Sequence, residues 1–263
     1  MVYTCFEMVR DCRADLPQGW RHFASAYVPV IQRILSHYSG AAANDPARLE
    51  RVLLDLRRPE SSLFQPLDPS PERWFVAGLR QAVLAGLPAP QPEISLGLGD
   101  VSEALAPLTI MEKQAAWFET MRYDAAATGE QMRMAPPTVE TIRGRAQELL
   151  RGKLDAWNRT VLADNGLTLG REAAAAHGPD CLPVKAFLDV LDGRTTWRNR
   201  EVMEQHVGTC WHCVDHYARM VEVVWLMRTV RPLTDAEAQP YRKLLGAGEE
   251  RRPAWKRIFG AGT

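Results

Sequence analysis

The stretch Trp20-Arg-His-Phe-Ala-Ser-Ala-Tyr-Val-Pro-Val-Ile-Gln-Arg-Ile-Leu-Ser-His-Tyr38 decides the fold class. Its apolar residues Phe23, Tyr27, Val30, Ile31, Ile34, Leu35 and Tyr38 recur at three- and four-residue spacing, which puts them on one face of a long amphipathic helix despite Pro29. The same period continues on the C-terminal side. Leu49, Val52, Leu53 and Leu56 follow Asn44-Asp45-Pro46, where a proline in the first turn suits a helix start. Trp74, Phe75, Leu79, Val83 and Leu84 follow Asp68-Pro69-Ser70-Pro71. These three segments predict one helical bundle, and alternating strand-like runs are nearly absent from the chain, so the fold class is all-α.

Beyond the bundle, Gly86-Leu-Pro-Ala-Pro-Gln-Pro-Glu93 cannot continue a helix and reads as a semi-extended linker. Helical spacing resumes at Val101 to Leu108, strengthens through Met111 to Met121, and returns from Thr138 to Val161. A second connection is bracketed by Asp164-Asn-Gly-Leu and Ala176-His-Gly-Pro-Asp, and a last helical block covers Leu182 to Met227, broken at Asp192-Gly193. A polar tail containing Pro232, Pro240 and Pro253 closes the sequence. The expected organisation is three small helical modules: residues 1–88, a linker at 89–100, residues 101–163, a linker at 164–180, and residues 181–230, with 231–263 as the tail.

Composition narrows the function classes. The 263 residues are 46% hydrophobic and 24% charged, enough apolar material for real cores and too much for wholesale disorder. Lys and Arg number 32 against 32 Asp and Glu, so binding of nucleic acid by global charge is excluded, and any such role needs a local basic face or a partner that supplies affinity. There is no apolar run of membrane-spanning length and no signal-peptide pattern at Met1-Val-Tyr-Thr-Cys-Phe-Glu-Met, so the expected location is the cytoplasm. Five cysteines, an odd number clustered toward the C-terminal end, are unlike a disulfide framework and point to metal or thiol chemistry there.

The sharpest chemical signal is His206-Val-Gly-Thr-Cys210-Trp-His-Cys213. Two thiols two residues apart reach one ion from a single turn, and a histidine four positions upstream shares their helix face, so the three converge at distances that suit zinc. A structural zinc site needs a fourth ligand. Cys181 is the first candidate and His177, just before it, the alternative. His212 lies between the thiols and is expected to point away from the ion. A redox pair of the thioredoxin kind would need a preceding strand, which the pattern lacks.

The segment Cys181-Leu-Pro-Val-Lys-Ala-Phe-Leu-Asp-Val-Leu-Asp-Gly193, followed by Val202-Met-Glu-Gln-His206 and the two thiols, resembles the zinc-binding anti-sigma domain over about 45 residues. That resemblance implies a small helical domain that clamps a sigma factor, with zinc at Cys181, His206, Cys210 and Cys213, or at His177 in place of Cys181. The preceding block is similar to region 4 of extracytoplasmic-function sigma factors: Leu105-Ala-Pro-Leu, the small-residue segment Ala125-Ala-Ala-Thr-Gly129, and Thr138-Val139 leading into a helix with the Arg145-Ala146 pair. The N-terminal bundle then occupies the place of region 2. The resemblance implies RNA polymerase core and promoter DNA as partners, with Thr138, Arg143 and Arg145 reading DNA, Arg151 and Lys153 contacting phosphates, and the zinc domain restraining the sigma-like part in cis. The chain departs from the pattern where Leu49 opens a helix without the Asp-x2-Gln of the family, where Arg133 replaces the glycine of the tight turn, and where Ala135 replaces the capping serine.

No Ser/His/Asp order, phosphate loop or HExxH pattern points to an enzyme. Asp11 with Asp15, and Asp189 with Asp192, are expected on solvated faces or as caps. Trp197, Trp211 and Trp225 are expected to pack the core or an interface of the last module. Two other classes of function compete with the sigma-like reading: an interaction regulator that binds another regulatory protein without DNA, and a thiol redox-sensing zinc protein.

Overall fold

A capping box opens the first helix: the Thr4 side chain accepts from the Glu7 amide while Glu7 reaches back to the Thr4 amide. Helix α1 (Cys5–Arg13) leads into α2 (Pro17–Tyr38), α3 (Pro46–Arg57), a 3-10 turn at Ser62–Phe64, α4 (Glu72–Ala85), α5 (Leu98–Ala104), α6 (Ile110–Thr120), α7 (Ala125–Met132) and α8 (Pro136–Arg151). Then follow α9 (Val161–Asp164), α10 (Gly166–Ala175), α11 (Val184–Leu191), α12 (Trp197–Val207), α13 (Trp211–Thr229) and α14 (Asp235–Leu244). The computed structural model describes residues 3–38, 45–65, 71–88 and 91–247. Asn44, Asp68–Ser70, the Ala89-Pro90 part of the expected linker and the residues beyond 247, Pro253 included, lie outside the described residues. Among the described residues there is no strand, which makes the fold all-α, and no helix is long and apolar enough to cross a membrane.

The described residues form two compact units, one drawn from 1–86 and 226–263 and the other from 87–225. In the first, α2 carries the core: Phe23, Ile31 and Ile34 are fully buried, and Trp20, Phe23, Tyr27, Phe64 and Phe75 meet edge to face or stacked. Asp45 caps α3 through the Ala47 amide, with Pro46 in the first turn as expected. In α4 the buried stripe is Val76, Leu79, Arg80 and Val83, while Trp74 is exposed. Asp11 is buried rather than solvated, because it accepts from Tyr3, Gln18 and Arg10.

Pro29 explains why part of the expected tail is not a tail. Proline has no amide hydrogen, so the Ser25 carbonyl four residues back has no intrahelical donor. The Leu233 amide donates to that carbonyl at 2.8 Å. Helix α14 then lies on α2: Arg242 donates to Ser25 Oγ at 2.8 Å, Gln32 to the Tyr241 hydroxyl at 2.9 Å, and Ala238 and Leu245 are fully buried.

In the second unit α6 is central, with Ala115, Ala116, Trp117 and Phe118 all buried. The stretch expected as a linker at 164–180 is largely the helix α10, whose Leu169 and Ala173 are fully buried. A side chain on Gly166 would stand 1.8 Å from the Thr120 carbonyl oxygen, so only glycine fits where α10 meets the end of α6. The neighbouring Asn165 accepts from the Leu96 amide and donates to the Ile94 and Val161 carbonyls, which fixes the end of the Pro-rich segment. Residues 101–163 and 181–225 lie in the same compact unit. Helix α8 ends at Arg151, ten residues before the expected Val161, with Gly152 as its C-cap.

Candidate metal centre

Three elements of the second unit bring the sulfur and nitrogen ligands together. Cys181 sits in the turn before α11, where its amide donates to the Gly178 carbonyl at 3.1 Å and the Gly178 amide points back at the Cys181 sulfur at 3.2 Å. His206 lies in the last turn of α12, and its carbonyl accepts the amides of Thr209 and Cys210, so the chain turns sharply into α13. Cys210 precedes the first residue of α13 and Cys213 lies in its first turn, where the free amides and the helix dipole favour negative charge. The Leu182 amide hydrogen-bonds to the Cys213 sulfur. Two backbone amides therefore point at two of the three sulfurs.

One ligand atom each from Cys181, His206, Cys210 and Cys213 lies within 4.8 Å of all the others, an arrangement that can hold a metal ion. The Cys181 and Cys210 sulfurs are 3.7 Å apart. A tetrahedral ion with thiolate bonds of about 2.3 Å spaces two sulfurs by about 3.8 Å, so this edge already has the required length. His206 Nε2 is buried and has no hydrogen-bond partner. A buried imidazole nitrogen with no hydrogen-bond partner is free to take a metal ion. Burial above all, and then the nearby Cys210 and Cys181, push the Cys213 thiol up to about 12, against the Leu182 amide, which lowers it. A divalent cation among the three sulfurs reverses that balance and favours the thiolates.

The structure brings Cys181, not His177, to the other three residues. His177 belongs with Cys181 and His212 in a second group whose ligand atoms also lie within 4.8 Å of one another. His212 is not one of the four residues of the first cluster; its Nδ1 lies 3.0 Å from the Ala173 carbonyl, and one of its ring nitrogens lies within 4.8 Å of Cys181. His216, one turn further along α13, stacks with His212 and is held down to about 4 by burial first and then by His212, Arg219 and His177.

The cluster is joined firmly to the helices before it. Trp117 Nε1 donates to Asp215 at 3.0 Å, Asp215 pairs with Arg219 at 2.5 Å, and Tyr123 donates to the fully buried Glu222 at 2.6 Å. Trp211 is buried against Trp117 and Trp225 lies edge to face with Tyr123, but Trp197 is 77% exposed at the start of α12 and is not a core residue.

The expected DNA-reading residues all lie on or just beyond α8. Thr138 is exposed in its first turn. Arg143 turns inward, donating to the Tyr123 carbonyl at 2.7 Å and to Thr128 Oγ1 at 2.8 Å, and so braces α7 against α8. Arg145 pairs with Glu112 at 2.6 Å and Lys153 with Glu103 at 2.5 Å, while Arg151 faces Glu148 and the Trp157 ring. Between α7 and α8, Arg133 takes up left-handed geometry at φ 57° where the sigma pattern has glycine.

No known protein family, curated protein or solved structure matches the chain.

Proposed function

We propose that this chain is a zinc-stabilised regulator of transcription initiation, built on sigma-like helices and carrying its own zinc-binding anti-sigma-like segment. The observation that carries the reading is the convergence of Cys181, His206, Cys210 and Cys213. Three thiolates and one imidazole in a closed, half-buried set suit zinc, whose structural sites are tetrahedral and have no open position. Zinc so bound holds the turn before α11, the end of α12 and the start of α13 together. The partner under this reading is RNA polymerase core, which supplies the affinity that a chain of zero net charge lacks for promoter DNA. Restraint in cis is supported by the bonds from Trp117 and Tyr123 to Asp215 and Glu222, which tie the zinc segment to the helices before it.

A second reading, an interaction regulator without DNA binding, is favoured by one specific observation. Arg143, Arg145 and Lys153 are each engaged within the chain, and Arg151 faces Glu148. Binding of the full-length zinc form to core polymerase and to duplex DNA across a salt series separates the two. The sigma-like reading expects core binding, and DNA affinity that appears only with core and falls steeply as salt rises. Core binding with no DNA affinity under any condition supports the second reading, and absence of core binding refutes the first.

A further inference from the structure

We infer that the chain holds a second divalent ion beside the first, at a solvent-facing site made by His177 and His212 with the Cys181 thiolate as bridge. The inference rests on the zinc reading through the shared sulfur and the charge of the first site. One nitrogen from each histidine and the Cys181 sulfur lie within 4.8 Å of one another. A tetrahedral ion spaces imidazole and thiolate ligands by about 3.3–3.8 Å, so side-chain rotations of about an ångström close the site. The two rings already meet, centroids 4.9 Å apart.

The tautomer of His212 is fixed in the form a ligand needs. Its Nδ1 lies 3.0 Å from the Ala173 carbonyl, which can only accept, so Nδ1 carries the proton and the lone pair is on Nε2. A backbone carbonyl behind the non-ligating nitrogen is the usual outer partner of a metal-bound histidine. Charge acts in the same direction. Three thiolates around one divalent ion leave a net charge of −1, which attracts another cation, and a thiolate bound to one ion keeps lone pairs for a second.

The two sites differ in closure. The first set is of intermediate burial with Cys213 fully buried, whereas His177 is exposed. With three protein ligands, the second ion keeps one position open to solvent and so exchanges more readily than the first. Thiolate and imidazole ligands select ions of the zinc, cobalt, nickel and copper class and reject magnesium and calcium.

The test is an anaerobic cobalt(II) titration of full-length, reduced protein already loaded with one equivalent of zinc, read by visible absorption and by metal content after gel filtration. The expected result is a second, weaker equivalent with a thiolate-to-cobalt band. Its affinity should fall at least tenfold in His177→Ala and in His212→Gln, with the first equivalent kept. His177 is exposed, so its replacement does not threaten the fold. Saturation of the wild type at one equivalent, or a second equivalent unchanged in the double variant, overturns the inference. A single equivalent that is lost in His177→Ala and kept in Cys213→Ser refutes the zinc centre as well.

Discussion

Replacing Gly166 by alanine asks whether residues 164–180 are a linker or a packed helix, because the two answers differ in sign. In a flexible connection the change is neutral or stabilises by about 0.4–1 kcal/mol, through the lost freedom of the unfolded chain. In the structure the new Cβ would stand 1.8 Å from the Thr120 carbonyl oxygen, where contacts under 3.0 Å are essentially never found. Helix α10 has to retreat from α6 by more than an ångström, and overpacking of this kind costs about 1–3 kcal/mol. The retreat also disturbs the Asn165 bonds to Leu96 and Ile94, at about 1 kcal/mol for each bond lost. The expected loss is about 2–4 kcal/mol, measured as a lowered urea midpoint at unchanged slope. Gly144→Ala is the control: it lies inside α8 with nothing within 4 Å of a new Cβ, so it should gain about 1 kcal/mol. A Gly166→Ala protein within 0.5 kcal/mol of wild type, or more stable than it, refutes the packing of α10 on α6.

Arg143→Ala should destabilise by about 1–3 kcal/mol in urea unfolding, since it strips bonds from Tyr123 and Thr128, whereas Arg145→Ala should cost under about 1 kcal/mol as the loss of a largely exposed pair. Equal effects from the two would contradict the inward placement of Arg143. The exposed Trp197 predicts that Trp197→Ser shifts the midpoint by less than about 0.5 kcal/mol; a larger loss would show a packing role. Arg231 first, and then the Thr234 amide and hydroxyl, hold Glu237 down from 4.5 to about 2. The sign follows from linkage: the unfolded chain takes up this proton first, so the contribution of Glu237 is present above pH 4.5 and is lost as pH falls toward 2. Protection factors of the α14 amides, corrected for the intrinsic exchange rate at each pH, should therefore fall over that window in wild type and show no such step in Glu237→Gln.

Helices α2 and α3 are legible in the sequence because their apolar period is regular and, for α3, because Asp45-Pro46 marks the start. Helices α1 and α14 carry a quieter signal, Thr4-x-x-Glu7 and Thr234-x-x-Glu237, which becomes a capping box only when the turn forms. Helix α10 looks like a turn because Asn165-Gly166 opens it. In the structure the same two residues are packing devices, the asparagine bonding three backbone groups and the glycine admitting the Thr120 carbonyl. A tertiary contact decided that element, and no local propensity reports it. The four residues that could hold a metal ion are legible from spacing because three of them lie within eight residues, and the reach of those three for one ion follows from helix geometry. Choosing Cys181 over His177 needs the turn at Gly178, which aims the sulfur at Cys210. The resemblance offers Arg145, Arg151 and Lys153 as DNA contacts, yet in the structure Arg145 pairs with Glu112 of α6, Lys153 with Glu103 of α5, and Arg151 faces Glu148 of α8 itself.

The central claim is one tightly held zinc at Cys181, His206, Cys210 and Cys213. Metal content of the purified, reduced chain after a mild chelator wash, beside Cys210→Ser, His206→Ala and His177→Ala, tests it most directly. The account predicts one equivalent of zinc in wild type and in His177→Ala, and loss of that equivalent in the other two. Wild type without zinc, or zinc retained undiminished in both Cys210→Ser and His206→Ala, would contradict it.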